Sequence, residues 1–240
     1  MERFPDDLAS LHDAYEHPGG DGVWLRANMV ASADGAAAFE GRAGGLGNPN
    51  DQRLLHLLRG MADVVIVGAG TVRAEGYGPV RPDPDWRRWR GDRPPAPPLA
   101  IVSGALDLDL DAPVFTEATA PTIVLTTEAA DGARLAAARE RADVVVAGGD
   151  RLDWRLAIDA LAARGLRRML CEGGPRVLDQ LVTAGLLDEL CLTLSPMLVG
   201  GDAFRVLNGP PAADPLRLRL TGLLRDEEDF LFLRYAARSR

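Results

Sequence analysis

At 240 residues, 47% of them hydrophobic, the chain can form one large domain or two small ones around a sizeable core. Its formal net charge of −8 argues against nucleic acid or an anionic membrane surface as a partner, so an anionic ligand must be met locally by arginines and backbone N–H groups. No stretch approaches the roughly 18 apolar residues of a membrane span, and the N-terminus lacks the apolar run of a secretory signal, so a soluble cytoplasmic protein is expected.

Residues 1–22 are polar, end in Pro18-Gly19-Gly20, and read as an arm or short helix outside the core. Residues 23–240 read as a single domain. "VWLRANMVAS" is apolar enough for a buried strand. "NDQRLLHLLRGMA" spaces Leu54, Leu55, Leu57, Leu58 and Met61 as an amphipathic helix, with Asn48 or Asn50 to cap it and Pro49 near its first turn. "DVVIVG" is a short β-branched run ending in glycine, the pattern of a strand buried on both faces of a parallel sheet. It recurs in "PLAIVSG", "PTIVLTT", "ADVVVAGG" and "RRMLCEGG", with helical segments such as "DWRLAIDALAARG" between. This alternation predicts an α/β fold with a mostly parallel sheet. The proline-rich stretch 80–98 reads as a surface loop too polar for the core, with Trp86 and Trp89 either covering a site or pinning the loop. The last three strand segments, "DELCLTLSPML", "LRLRLTGLLRD" and "DFLFLRYAAR", have no helix between them and should add to the sheet antiparallel. Cys171 and Cys191 lie in apolar runs and read as buried thiols. The histidines (His12, His17, His56) are scattered, so no metal site is expected.

Two glycine turns stand directly after strands: Gly68-Ala69-Gly70-Thr71 and Glu172-Gly173-Gly174-Pro175. The first lacks the third glycine of the dinucleotide fingerprint, because position 73 is Arg73. In an open parallel sheet, ligands gather at the carboxyl ends of strands. Glycine lets backbone approach a phosphate, and a following helix offers unpaired N–H groups and partial positive charge. Pro175 suits a first helical position. The pair therefore reads as two helix starts flanking one pyrophosphate, or as two ordinary strand-to-helix turns. Arg73 and Arg176 follow them as partners for a 2′-phosphate or as solvated side chains. Asn28, polar in an apolar strand, reads either a ring edge or a neighbouring loop. Asp34 reads as an acid or as the former of an Asp-Gly turn.

"ANMVASADGAAA", "DVVIVGAGTVRAEGYGP" and "CEGGPRVLDQLVTAGLLDELCLTLSPMLVGG", in this order and spacing, resemble the pyrimidine reductase domain of riboflavin biosynthesis, the C-terminal domain of the bacterial bifunctional deaminase-reductase. The resemblance runs from about Leu25 to the C-terminus. It implies a dihydrofolate-reductase-like fold, NADPH as cofactor, a phosphorylated ribosylaminopyrimidine as substrate, reduction of the ribose C1′ to the ribitylamino product, and a homodimer formed through the C-terminal strands. The zinc-deaminase signature is absent, so the expectation is either the reduction alone or a paralogue with another substrate. By resemblance, Gly70, Thr71, Glu75, Ser103, Gly173, Gly174, Pro175, Arg176, Val177 and Leu178 contact the cofactor. Arg59, Arg81 and Glu172 contact the substrate by the same resemblance, the arginines at its phosphate; from the residues themselves, Asn28 is the candidate for the pyrimidine ring edge, and Asp34, Glu172 or a water for the proton that the ring oxygen needs. The family's "SLDGK" reads Ser32-Ala33-Asp34-Gly35-Ala36 here, without the lysine, and Ala43 stands where a substrate-binding serine is usual. A pterin or dihydrofolate reductase on the same fold, or a non-catalytic NADP-binding protein, are the competing expectations.

Overall fold

The computed structural model describes residues 1–211 and 214–237. A two-residue strand, β1 (Glu2–Arg3), precedes helix α1 (Leu8–Ala14), which is capped by the Asp7 carboxylate accepting from Ser10 N at 2.8 Å. Then come β2 (Trp24–Ser32) and α2 (Pro49–Met61). Asn48 caps α2, its Oδ1 accepting the Asp51 N–H at 3.0 Å, while Pro49 takes the first position, where an N–H has no helical partner. The chain continues through β3 (Val64–Gly68), α3 (Ala69–Glu75), a 3-10 turn (Pro84–Trp86), α4 (Arg87–Arg90), β4 (Leu99–Val102), α5 (Pro113–Thr116), β5 (Ile123–Thr126), α6 (Gly132–Arg141), β6 (Asp143–Val146) and α7 (Trp154–Ala162). It ends with β7 (Arg168–Cys171), α8 (Pro175–Thr183), β8 (Glu189–Ser195), β9 (Leu218–Arg225) and β10 (Leu231–Ala237). The fold class is α/β with a mostly parallel sheet, as the strand–helix alternation implies.

The chain divides into two compact units, Arg59–Leu170 and Met1–Leu58 with Cys171–Arg240. In the first, β3, β4, β5 and β6 pair in that order, all parallel. Every residue of β3 and β5 is buried, as continuous β-branched runs require. β6 departs from that pattern. It is paired only to β5 among the described residues, and Val146 is 37% exposed.

The loop at 80–98 is not excluded from the core. Trp86 is 1% exposed and lies against Gly60 of α2, where a Cβ would come within 2.5 Å of the indole. The buried Arg90 donates from Nη1 to Gly60 O at 2.9 Å and Ala62 O at 2.7 Å, and Arg93 Nη1 to Met61 O at 2.9 Å. Carbonyls at the end of a helix have no donor within it. The two arginines supply those donors, and Trp86 pins the loop.

In the second unit, the order is β1-β9-β10-β8-β2. β10 runs antiparallel to both β8 and β9, as expected of the C-terminal strands. β8 itself pairs with β2 in parallel, from Arg26↔Glu189 to Ser32↔Ser195, which corrects the expectation for that strand. It follows helix α8, so it enters the sheet as a crossover strand rather than as half of a hairpin. Residues 1–22 are also more than an outer arm. Phe4, Leu11 and Tyr15 are buried, and β1 pairs with β9. Two arginines hold the end of α1: Arg26 Nη2 donates to Tyr15 O at 2.8 Å and Arg234 Nη1 to Ala14 O at 2.7 Å. The Glu189 carboxylate accepts from both guanidinium groups and from Trp24 Nε1. The polar composition of the segment hid this, because three apolar side chains suffice to anchor it.

Candidate active site

β7 ends at Cys171, and the buried Glu172 follows. Gly173 has a φ of 81°, and a Cβ there would meet Met29 Sδ at 3.1 Å, so the position takes only glycine without strain. Gly174 is the N-cap of α8, with no side-chain cap, and the first turn holds no acid. Pro175 has no N–H to offer, and the N–H groups of Val177 and Leu178 both go to Gly174 O, at 2.9 and 3.1 Å. The side chains of Val177 and Leu178 are buried. Gly174 and Arg176 are left to present N–H groups, and the Arg176 side chain is exposed. An uncapped, acid-free helix start of this kind favours an anion.

In the other unit, Gly68 is the N-cap of α3, which therefore begins at Ala69, with Gly70 and Thr71 in its first turn. A Cβ on Gly70 would meet nothing within 4 Å, which leaves open space before the helix start. Thr71 and Glu75 are half-buried on α3, and Ser103 is buried directly after β4. Both turns thus have a local form that suits a phosphate-bearing cofactor: glycine-walled backbone after a strand, with no competing carboxylate in the first helical turn. Arg73 is committed to the Asp107 carbonyl at 2.8 Å. Arg59, in the last turn of α2, lies 5.3 Å from the centroid of the Tyr77 ring. Arg81 is exposed and pairs with Glu117 at 2.8 Å.

At the end of β2, the Asp34 carboxylate accepts from Ser32 Oγ at 2.5 Å, Val199 N at 3.1 Å and Gly200 N at 2.7 Å. The Ser32 hydroxyl, then the two N–H groups, hold its pKa down at about 2. The acid role anticipated for Asp34 runs against this geometry. An ionised carboxylate donates no proton at neutral pH, and Asp34 instead fastens the loop after β8. Asn28 sits mid-strand on β2, half-exposed, with Oδ1 buried and unpartnered.

A group that the sequence reading passed over lies on the same unit. Asp51, in the first turn of α2, is 6% exposed, and burial raises its pKa. Its spacing to Leu54 and Leu58 places it on the helix's apolar stripe, a signal that was available but subordinate to the Asn48 cap. Among the described residues, no cluster of three or more His, Cys, Asp or Glu could hold a metal ion. Both cysteines are buried, and burial pushes their thiols up to about 12. No helix among the described residues is long and apolar enough to cross a membrane.

The family model described as the RibD C-terminal domain matches residues 23–232. The 2,5-diamino-6-ribosylamino-4(3H)-pyrimidinone 5′-phosphate reductase of Methanothermobacter thermautotrophicus is 32% identical over 198 residues, covering 80% of this chain and 88% of the relative. The crystal structure of a pyrimidine reductase-like protein from Corynebacterium diphtheriae superposes with a TM-score of 0.85 at 28% identity, covering 96% of this chain and 99% of that one. Dihydrofolate reductase from Enterococcus faecalis shares the fold, with a TM-score of 0.50 at 15% identity over 90% of this chain and 97% of its own. The chain therefore belongs to the RibD C-terminal domain family, on a dihydrofolate-reductase-like α/β fold.

Proposed function

We propose that the chain is an NADPH-dependent reductase of a phosphorylated ribosylaminopyrimidine in riboflavin biosynthesis. The observation that carries this reading is the family match over residues 23–232, together with the uncapped, glycine-walled start of α8 that fits a pyrophosphate. When bound, NADPH supplies the hydride that reduces ribose C1′, and the ring oxygen leaves as a hydroxyl that needs one proton.

The chain's own residues bind and orient. Gly173, Gly174, Pro175 and Arg176 hold the cofactor's pyrophosphate by backbone contacts, with Val177 and Leu178 anchoring that backbone to the core. Gly70, Thr71, Glu75 and Ser103 take the family's remaining cofactor contacts. Arg59 and Arg81 hold the substrate phosphate. An ion pair as exposed as Arg81 with Glu117 is worth only about 0–1 kcal/mol, so a phosphate can displace the carboxylate. Glu172, buried directly after β7, contacts the substrate, and Asn28 reads the pyrimidine ring. The protein works as a cytoplasmic homodimer.

Following NADPH absorbance with the 2,5-diamino pyrimidinone phosphate, its deaminated uracil counterpart and dihydrofolate tests the assignment. Oxidation with a ribosylaminopyrimidine phosphate and none with dihydrofolate is expected. Oxidation with dihydrofolate alone overturns it.

A further inference from the structure

The two arginines assigned to the substrate phosphate are held in different ways. Arg81 is exposed and donates from Nη2 to the Glu117 carboxylate at 2.8 Å. Arg59, in the last turn of α2, has its guanidinium carbon over the Tyr77 ring, 5.3 Å from the centroid. The difference bears on anion binding. A carboxylate occupies the same N–H donors that a phosphate needs, so it must be displaced. A ring face attracts the cation through its quadrupole and takes up none of the five N–H donors, which lie along the edge of the guanidinium plane. An aromatic support can therefore order an arginine and still leave its fork to a phosphate.

Tyr77 is itself placed by backbone. Helix α3 ends at Glu75, and Gly76 follows in the left-handed region, with φ 67° and ψ 48°. The N–H groups of Gly76 and Tyr77 both go to Val72 O, that of Tyr77 at 3.0 Å. This cap turns the chain out of the helix at the residue that carries the ring, and glycine takes such a φ without strain. Three residues on, Val80 is buried. The ring thus stands on a short segment fixed at both ends. Tyr77 and Arg59 are both half-buried, and partial shielding from water strengthens a contact of this kind.

We infer that Tyr77 is a positioning residue for the substrate phosphate: its ring face holds the Arg59 guanidinium in place while the N–H edge meets the phosphate. This rests on the reading that Arg59 meets a sugar phosphate in the site. In this role Tyr77 touches neither substrate nor cofactor, and it acts on KM through Arg59. The ring face carries the effect, so a phenylalanine serves as well as a tyrosine.

The test compares Tyr77→Leu and Tyr77→Phe with the wild-type protein, and Tyr77→Leu again in an Arg59→Gln background. Calorimetric titrations with ribose 5-phosphate and with ribose are read beside kcat and KM for the ribosylaminopyrimidine phosphates. Wild-type protein is expected to bind ribose 5-phosphate more tightly than ribose. Tyr77→Leu should weaken ribose 5-phosphate binding and raise KM by about threefold to tenfold, at unchanged kcat. Tyr77→Phe should match the wild type, and Tyr77→Leu should add nothing to KM once Arg59 is replaced. A side chain that only supports the fold would not give that pattern. Unaltered ribose 5-phosphate affinity in Tyr77→Leu overturns the inference. So does a loss in Tyr77→Phe as large as in Tyr77→Leu, or an undiminished Tyr77→Leu effect in the Arg59→Gln background. A wild-type protein that binds ribose 5-phosphate no better than ribose overturns it without any variant. Turnover of neither ribosylaminopyrimidine phosphate overturns the reductase reading, and the ribose 5-phosphate titrations still decide the role of Tyr77.

Discussion

A carboxylate at position 174 would stand at the uncapped start of α8, where the helix charge and N–H groups favour an anion, and, on the function proposed above, would occupy the space of the cofactor's phosphates. Gly174→Asp is expected to weaken NADPH binding by about tenfold or more, equivalent to about 1.4 kcal/mol, while thermal unfolding stays within a few degrees of the parent. Calorimetric titration checks both halves. Unchanged affinity would remove α8 from the cofactor site. Gly173 was legible in the sequence because a close backbone approach and a positive φ leave glycine as the residue without strain. Asp34 was only half legible. Its Asp-Gly turn is local, but whether its carboxyl is an acid or a clasp depends on the N–H groups of Val199 and Gly200, 165 and 166 residues away. The buried Asp51 was legible in principle from helical spacing.

At the scale of elements, the strand runs and the helices α2, α7 and α8 follow directly from apolar periodicity, and the structure places them where the pattern does. The loop at 80–98 misleads because its arginines and prolines read as solvated, whereas Arg90 and Arg93 bury their stems and serve the end of α2. Arg90→Ala leaves the Gly60 and Ala62 carbonyls without that donor and is expected to cost about 1–3 kcal/mol. Gly60→Ala, which drives a methyl into Trp86, is expected to cost a similar ~1–3 kcal/mol by overpacking. Denaturant titration of both variants checks the pair, and a loss-free Gly60→Ala would show that Trp86 does not pin the loop. The same logic governs the N-terminal segment. Glu189→Ala strips a shared carboxylate from two guanidinium groups, one of them fully buried, and is expected to cost about 3–5 kcal/mol and to loosen α1, measurable as faster amide exchange at Leu11.

Over the whole molecule, stability should respond to pH in two opposed ways. Asp34 and Asp226 have folded pKa values below the usual carboxylate value, so the stability they add is present above about pH 4 and is lost as pH falls through their folded values, for Asp34 towards about 2. Asp51 and Asp188 are raised by burial, so their contribution is full below the usual carboxylate value and is lost as pH rises through the raised folded one. Thermal unfolding from acid to neutral pH is therefore expected to show Asp34→Asn losing part of the acid-side decline, and Asp51→Asn losing part of the decline on the way to neutrality. An Asp34→Asn profile parallel to the parent's would contradict the clasp. The central claim, hydride delivery to a ribose carbon by a chain of this family, is tested most directly with NADPH carrying deuterium at the transferable nicotinamide position and a ribosylaminopyrimidine phosphate. The account predicts a ribitylamino product that gains one deuterium, at C1′, by mass spectrometry. A product without deuterium, or with it at any other carbon, would contradict it.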